Sequence, residues 1–206
     1  MYTIIKIKNY IEVYGWKQLL IIPFRRIQRK LFVIKKGIVY YFIPANIPKK
    51  NFDQSIIVRR ATIDDLGKLK VFKSDTTLYR DWLKNNEIFI IALIDEKVVG
   101  QICITNDQPK ENINFIKFKL KSEEAYVREG FIHPKYRNMG IYSIIFSFAA
   151  QIAERQGYSR VYGDITSNNQ KSREIHTKKF GFIPVFSYMY VKLPFFEKTW
   201  VSEIQH

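Results

Sequence analysis

One cysteine, Cys103, occurs among 206 residues, so an intramolecular disulfide is excluded. Histidine is almost as scarce. His133, His176 and His206 lie at no metal-ligand spacing from one another or from the cysteine, and the sequence offers no metal site. Cys103 stands in an apolar run, which reads as a small core residue rather than a nucleophile. Long apolar runs are lacking too. Lys17, Arg25, Arg26, Arg29, Lys30, Lys35 and Lys36 interrupt the stretches near the N-terminus, and none approaches the ~20 residues of a spanning helix. A secretory signal fits poorly, because no clean apolar core precedes a small-residue cleavage site, and a cytoplasmic location is expected.

Acids are few as well: 19 Asp and Glu face 34 Lys and Arg, a net charge of +15. The excess is uneven, since residues 1–50 carry eleven Lys or Arg against the single acid Glu12. Such a field attracts phosphate-bearing partners, whether anionic lipid, nucleic acid or a nucleotide-linked substrate. A hydrophobic share of 47% and a charged share of 26% belong to a folded chain, long enough for one domain with a segment to spare.

In residues 1–50, Trp16, Leu19, Leu20, Ile22 and Phe24 lead to Pro23, which ends or kinks any helix begun near Tyr14. Ile27, Leu31 and Ile34 then recur at helical spacing, and residues 37–43 read as a buried or partner-seeking strand. Pro44, Pro48, Lys49 and Lys50 suggest a linker.

From residue 55 strands and helices alternate. Residues 56–60 form a short strand, and Thr62 caps a helix with Asp64 and Asp65 in its first turn. A second helix covers residues 75–84. Runs 88–94 and 98–104, joined by Asp95, Glu96 and Lys97, make an antiparallel hairpin. Within the polar stretch 106–124, Ile116, Phe118 and Leu120 alternate with lysines in a strand-like pattern. Residues 126–132 are the next strand, followed by a helix presenting Ile141, Ile144, Ile145, Phe148 and Ile152, with Gly157 as its cap. Strand 160–165, helix 170–179 and one or two strands over 182–191 complete the order.

Chemistry concentrates between the strand ending at Ile132 and the helix after it: His133, Pro134, Lys135, Tyr136, Arg137, Asn138, Met139, Gly140, Ile141, Tyr142. A helix start presents unsatisfied N–H groups and the positive end of the dipole, and a glycine there lets an anion approach the backbone. On physics alone this is a generic anion site.

The residues add more. Ile132, Pro134, Tyr136, Arg137, Gly140 and Ile141, some 40 residues before Gly181-Phe182, resemble the pyrophosphate-binding motif of the GNAT superfamily of acetyl-CoA-dependent N-acetyltransferases. Arg137, Gly140 and Tyr142 take the places of its Arg or Gln, Gly, and Gly or Ala. Tyr142 departs from the pattern by its bulk. Residues 57–66, 89–92, 97–100 and 169–182 resemble further segments of the family in the same order.

The resemblance implies an α/β (α+β) fold around a mixed, mostly antiparallel sheet with a V-shaped splay between two strands and helices on both faces. It implies residues 54–195 as the N-acetyltransferase domain, 1–53 as a basic aromatic extension and 196–206 as a tail. Acetyl-CoA would be the co-substrate, with backbone groups of Phe131, Ile132 and His133 on the pantetheine arm and thioester. Residues 137–142 (Arg137, Asn138, Met139, Gly140, Ile141, Tyr142) would hold the diphosphate, and Asn169 and Ser172 would touch the cofactor from the following helix. A backbone N–H near Ile132 would polarise the carbonyl.

Glu129 is the candidate base. The acid falls in an ambiguous register, because the last helix is one residue longer than the family spacing. His176 can protonate a thiolate near neutral pH or stand on the helix surface, Thr177 fits the other count, and Tyr188 and Tyr190 are outside candidates. The expected acceptor is a small-molecule amine, bound through residues 73–86 and 106–124, whose lysines favour an acidic one such as a nucleotide-linked amino sugar over a polycationic one. For the N-terminal segment three readings stay open. It packs on the domain or pairs two subunits as a homodimer, it attaches residues 1–36 to an anionic membrane surface, or, least in keeping with its aliphatic character, it binds nucleic acid. The other function class is a non-catalytic acyl-CoA-binding or membrane-associated relative.

Overall fold

The computed structural model describes residues 33–50, 55–106 and 119–204. Its strands are β1 Val33–Phe42, β2 Ile57–Arg60, β3 Ile88–Ile94, β4 Lys97–Thr105, β5 Glu124–Ile132, β6 Arg160–Thr166, β7 Ile183–Leu193 and β8 Phe196–Glu203. Helices are α1 Leu66–Leu69, α2 Thr77–Lys84, α3 Ile141–Arg155 and α4 Gln170–Glu174, the last running into a π-helical turn, Ile175–Lys179. One eight-stranded sheet runs β2-β3-β4-β5-β6-β1-β7-β8, antiparallel except where β5 meets β6.

Side-chain alternation assigns the two faces. Ile102 and Ile104 of β4, Val161 and Ile165 of β6, and Tyr40 and Phe42 of β1 pack with Ile145, Phe146 and Ala149 of α3. Opposite, Phe89, Ile91 and Cys103 lie under Leu69, Tyr79 and Trp82 of α1 and α2. Farther along that second face, Val39, Tyr126, Tyr162, Phe186 and Tyr188 form an aromatic cluster. The hairpin turn at Asp95 and Glu96 has φ of 46° and 63°, the left-handed pair that matches strand twist in a two-residue loop. Thr62 and Asp65 close a capping box ahead of α1.

Four sequence expectations change. The domain edge placed at residue 54 does not coincide with the edge of the sheet, because β1 lies inside it, antiparallel to β6 on one side and β7 on the other. Ile34, assigned by spacing to a helix, belongs to this strand. The stretch read as a linker is also packed. Pro44 starts a single 3-10 turn, and the buried Ser147 of α3 accepts from Lys50 N–H at 3.1 Å and donates to the Pro48 carbonyl at 2.8 Å. The tail expected from 196 is β8, an edge strand with Phe196, Trp200 and Val201 exposed. The N-terminal helix pattern, with the membrane reading that involves Trp16 and Phe24, and the strand pattern at Ile116 and Phe118 lie outside the described residues. No helix among the described residues is long and apolar enough to cross a membrane.

Candidate active site

β5 and β6 part early. Their parallel pairing covers only Glu124 with Arg160, Ala125 with Val161 and Tyr126 with Tyr162, although the strands run on to Ile132 and Thr166. Beyond Tyr126 a cavity of about 210 Å³ opens between them, bordered by Gly130, Tyr142, Asp164, Asn169, Ser172 and His176. A bulge helps. Cys103 pairs with Glu129 and Ile104 with Val127, so Arg128 is the extra residue that bends β5 here. The His133 N–H is bonded to the Val99 carbonyl at 2.9 Å. Alternation along the strand then directs the N–H groups of Gly130 and Ile132 away from β4, toward the gap.

Below the gap lies the loop singled out by sequence. Asn138 and Gly140 hold φ of 67° and 76°, and Gly140 caps α3 with open space where a Cβ would stand. The first bond of the helix runs from Ser143 N–H to the Gly140 carbonyl at 2.9 Å, joined there by Ile144 N–H at 3.3 Å. The N–H groups of Ile141 and Tyr142 precede it and can bind an anion. Arg137 Nε donates to the Ile132 carbonyl at 3.2 Å, and its guanidinium lies over the Phe131 ring. Lys171, absent from the sequence expectation, donates to Asn138 Oδ1 at 3.0 Å and adds a second cation to the loop. The diphosphate of an acyl-CoA fits this donor set. Met139 is exposed, whereas the Ile141 side chain is buried in the core, so its contribution is its backbone alone.

Other candidates have structural duties. Asn169 Oδ1 accepts from Ser172 N–H at 3.2 Å and caps α4. The His133 ring is buried and its Nδ1 accepts from Lys135 N–H at 3.3 Å. Phe131 turns its ring to Phe72 on the α1 side.

Tyr142 points into the protein rather than into the loop. Its ring lies against Phe146 and Gly130, where an added Cβ would come within 3.0 Å of it, and its hydroxyl is 2.8 Å from His176 Nε2. The bulk that departs from the family pattern therefore leaves the anion-facing amide clear. His176 is buried, not on the helix surface. The extra residue of the last helix is absorbed by the π turn, with Phe182 N–H on the His176 carbonyl at 3.1 Å. His176 Nδ1 lies 2.6 Å from the Ser172 carbonyl, a contact only a proton-bearing nitrogen makes, so the neutral ring offers Nε2 to the Tyr142 O–H. Burial pushes the Tyr142 hydroxyl far above its ordinary value, and it stays a proton donor at any working pH.

Burial also lowers His176 below its ordinary 6.5, against the smaller opposing effect of its bond to Ser172. The sign follows from linkage. A depressed histidine contributes stability that is complete above 6.5 and is lost as pH falls through the folded value. His176→Gln should flatten the fall in Tm between about pH 7.5 and 5.5. Parallel melting curves for variant and wild type over that range would rule the effect out.

On the opposite face Glu129 meets Lys73 Nζ at 2.6 Å and Gln101 Nε2 at 3.1 Å, and Gln101 also reaches the buried Tyr79 hydroxyl at 2.9 Å. Glu87 accepts from the Cys103 thiol at 3.1 Å and lies 3.7 Å from Arg128 Nε. Burial and Glu87 keep that thiol protonated, as befits a core residue.

Among the described residues the sheet parts at its one parallel pair, beside a helix start whose unbonded N–H groups can take an anion. The chain matches the Acetyltransferase (GNAT) family over residues 58–182 and belongs to it. No curated protein matches the sequence. Among solved structures it is similar to a GCN5-related N-acetyltransferase from Sphaerobacter thermophilus, with 11% identity and TM-score 0.58 over 89% of this chain and 56% of that one. A GCN5-related N-acetyltransferase from Kribbella flavida gives 11% and 0.55 over 82% and 62%. The aminoglycoside N-acetyltransferase AAC(6')-Iy in complex with CoA gives 14% and 0.50 over 60% and 89%. The chain thus spans 56% and 62% of the first two, and at these identities the likeness is one of fold.

Proposed function

We propose that this protein transfers an acetyl group from acetyl-CoA to a small-molecule amine within a ternary complex. The observation that carries the reading is the gap between β5 and β6, whose cavity reaches Tyr142 at the end of the 137–142 loop. Acetyl-CoA supplies an activated acetyl thioester. The N–H groups of Ile141 and Tyr142, with Arg137 and Lys171, bind its diphosphate, and the N–H of Gly130 or Ile132 bonds the thioester carbonyl oxygen. The hydrogen-bonded pair of Tyr142 and His176 holds the proton for the leaving thiolate, with the Tyr142 hydroxyl on His176 Nε2 and His176 Nδ1 on the Ser172 carbonyl. Glu129 takes a proton from the amine once the acceptor draws Lys73 aside.

Calorimetry with acetyl-CoA and a screen for amine-dependent release of CoA test the reading together. Arg137→Ala should weaken acetyl-CoA binding about tenfold or more by removing a charge-assisted contact. Unchanged affinity in that variant would remove the loop from the reading. Tight binding of acetyl-CoA with no CoA released by any amine would favour a non-catalytic acyl-CoA-binding protein instead.

A further inference from the structure

Four carboxylates flank β5 or the splay on the face opposite α3, and two are already matched by cations. Glu129 has Lys73 at 2.6 Å and Glu87 has Arg128 at 3.7 Å. Asp164 differs. Among the described residues it is met by neutral hydroxyls alone, Tyr126 donating to Oδ1 and Tyr188 to Oδ2 at 2.7 Å. Both hydroxyls are held protonated, by burial first and by the Asp164 charge second. Glu124 also has neutral donors, Tyr162 and Lys121 N–H, but it is buried at the closed end of the splay. Asp164 lines the cavity and is partly open to it.

The pair of tyrosines converges on Asp164 from different strands. Tyr126 comes from β5. Tyr188 comes from β7, one strand farther off, and reaches Asp164 by lying across Gly37 of β1. A Cβ at Gly37 would stand 2.6 Å from its hydroxyl oxygen, so the crossing exists only because that residue is glycine. Each carboxylate oxygen accepts two hydrogen bonds, and each of these has spent one on a tyrosine. What remains is a fixed negative charge with spare acceptor capacity at the edge of the transfer cavity. That matches a group with one positive charge and several N–H donors. Arg128 also borders the cavity, but its charge faces Glu87.

We infer that Asp164, braced by Tyr126 and Tyr188, is the acceptor subsite, which captures a protonated primary aliphatic amine and discriminates against amines that are neutral at physiological pH. This rests on the transferase reading above. It shifts the expected acceptor from one chosen for acidic groups to one chosen for its ammonium, and an amino sugar meets that condition.

The test compares Asp164→Asn with wild type at saturating acetyl-CoA, using benzylamine as the protonated probe and aniline as the neutral one. The variant should raise KM for benzylamine about tenfold or more, and leave KM for aniline and Kd for acetyl-CoA within about twofold. A purely structural brace predicts equal losses with both amines, and that result, or an unchanged KM for benzylamine, overturns the subsite. If the Asn variant melts without cooperativity, Tyr188→Phe keeps the carboxylate and loosens it. KM for benzylamine alone should then rise about threefold. Wild type that binds acetyl-CoA yet acetylates neither amine overturns the subsite too. Wild type that fails to bind acetyl-CoA instead fails the transferase reading, a difference visible in the calorimeter before any amine is added.

Discussion

Phenylalanine in place of Tyr142 will lower kcat about 10²-fold and leave acetyl-CoA affinity within a few-fold of wild type. The change removes one oxygen and keeps the ring that fills the space beside Gly130, Phe146 and Phe180. Packing should survive. The lost bond to His176 costs about 1 kcal/mol of stability, which a melting curve would show as a small drop in Tm. The anion-binding amide belongs to the backbone and is untouched, so the effect should fall on turnover. Proton delivery to a leaving group is worth about 10²–10⁴ in rate, and solvent can replace part of it. A kcat within threefold of wild type would place the proton donor elsewhere, whereas a parallel loss of acetyl-CoA affinity would mean that the hydroxyl orients the cofactor.

A chain that begins at residue 54, just ahead of the matched family segment, will not fold. β1 supplies Val39, Tyr40 and Phe42, all essentially sealed from solvent. Each is worth about 1.5–3 kcal/mol of burial. Phe42 stacks on Phe182 at 4.8 Å and meets Phe146 at 4.9 Å, so its removal also opens a cavity against α3. Two ladders go with the strand, exposing the backbone edges of β6 and β7. Against a total stability of about 5–15 kcal/mol, the loss is decisive. Phe42→Ala is the graded version, expected to cost about 3–5 kcal/mol by denaturant titration. A cooperative melt of the shortened chain within a few degrees of full length would sink the prediction.

Local signals carried much of the fold. The β3–β4 hairpin was legible because two apolar runs flank a short polar turn, and α3 because its apolar residues repeat with the helical period up to Gly157. The loop 137–142 was legible because an anion site at a helix start is a contiguous motif. What escaped was set by distance along the chain. The run in β1 declares that it is buried but not between which strands, and Ile34 happened to fit a helical period with Ile27 and Leu31. The direction of Tyr142 depends on Gly130 and on His176, whose own place depends on a π turn that no spacing rule announces. Lys73 with Glu129, and Tyr188 with Asp164, join residues from separate elements. Their pairing is a property of sheet order, not of sequence spacing.

The place of β1 also sets a timetable. It leaves the ribosome first among the described strands, yet its neighbours end at Thr166 and Leu193, the latter roughly 150 residues later. At about 5–20 residues per second, an apolar strand waits roughly 6 to 25 seconds before its first edge can be paired. The lysines flanking its apolar half, Lys35 and Lys36 ahead and Lys49 and Lys50 behind, are the residue type that discourages strand-to-strand association during such a wait. The positive charge that a mature protein can turn toward phosphate would then serve the nascent chain first, as its own solubiliser.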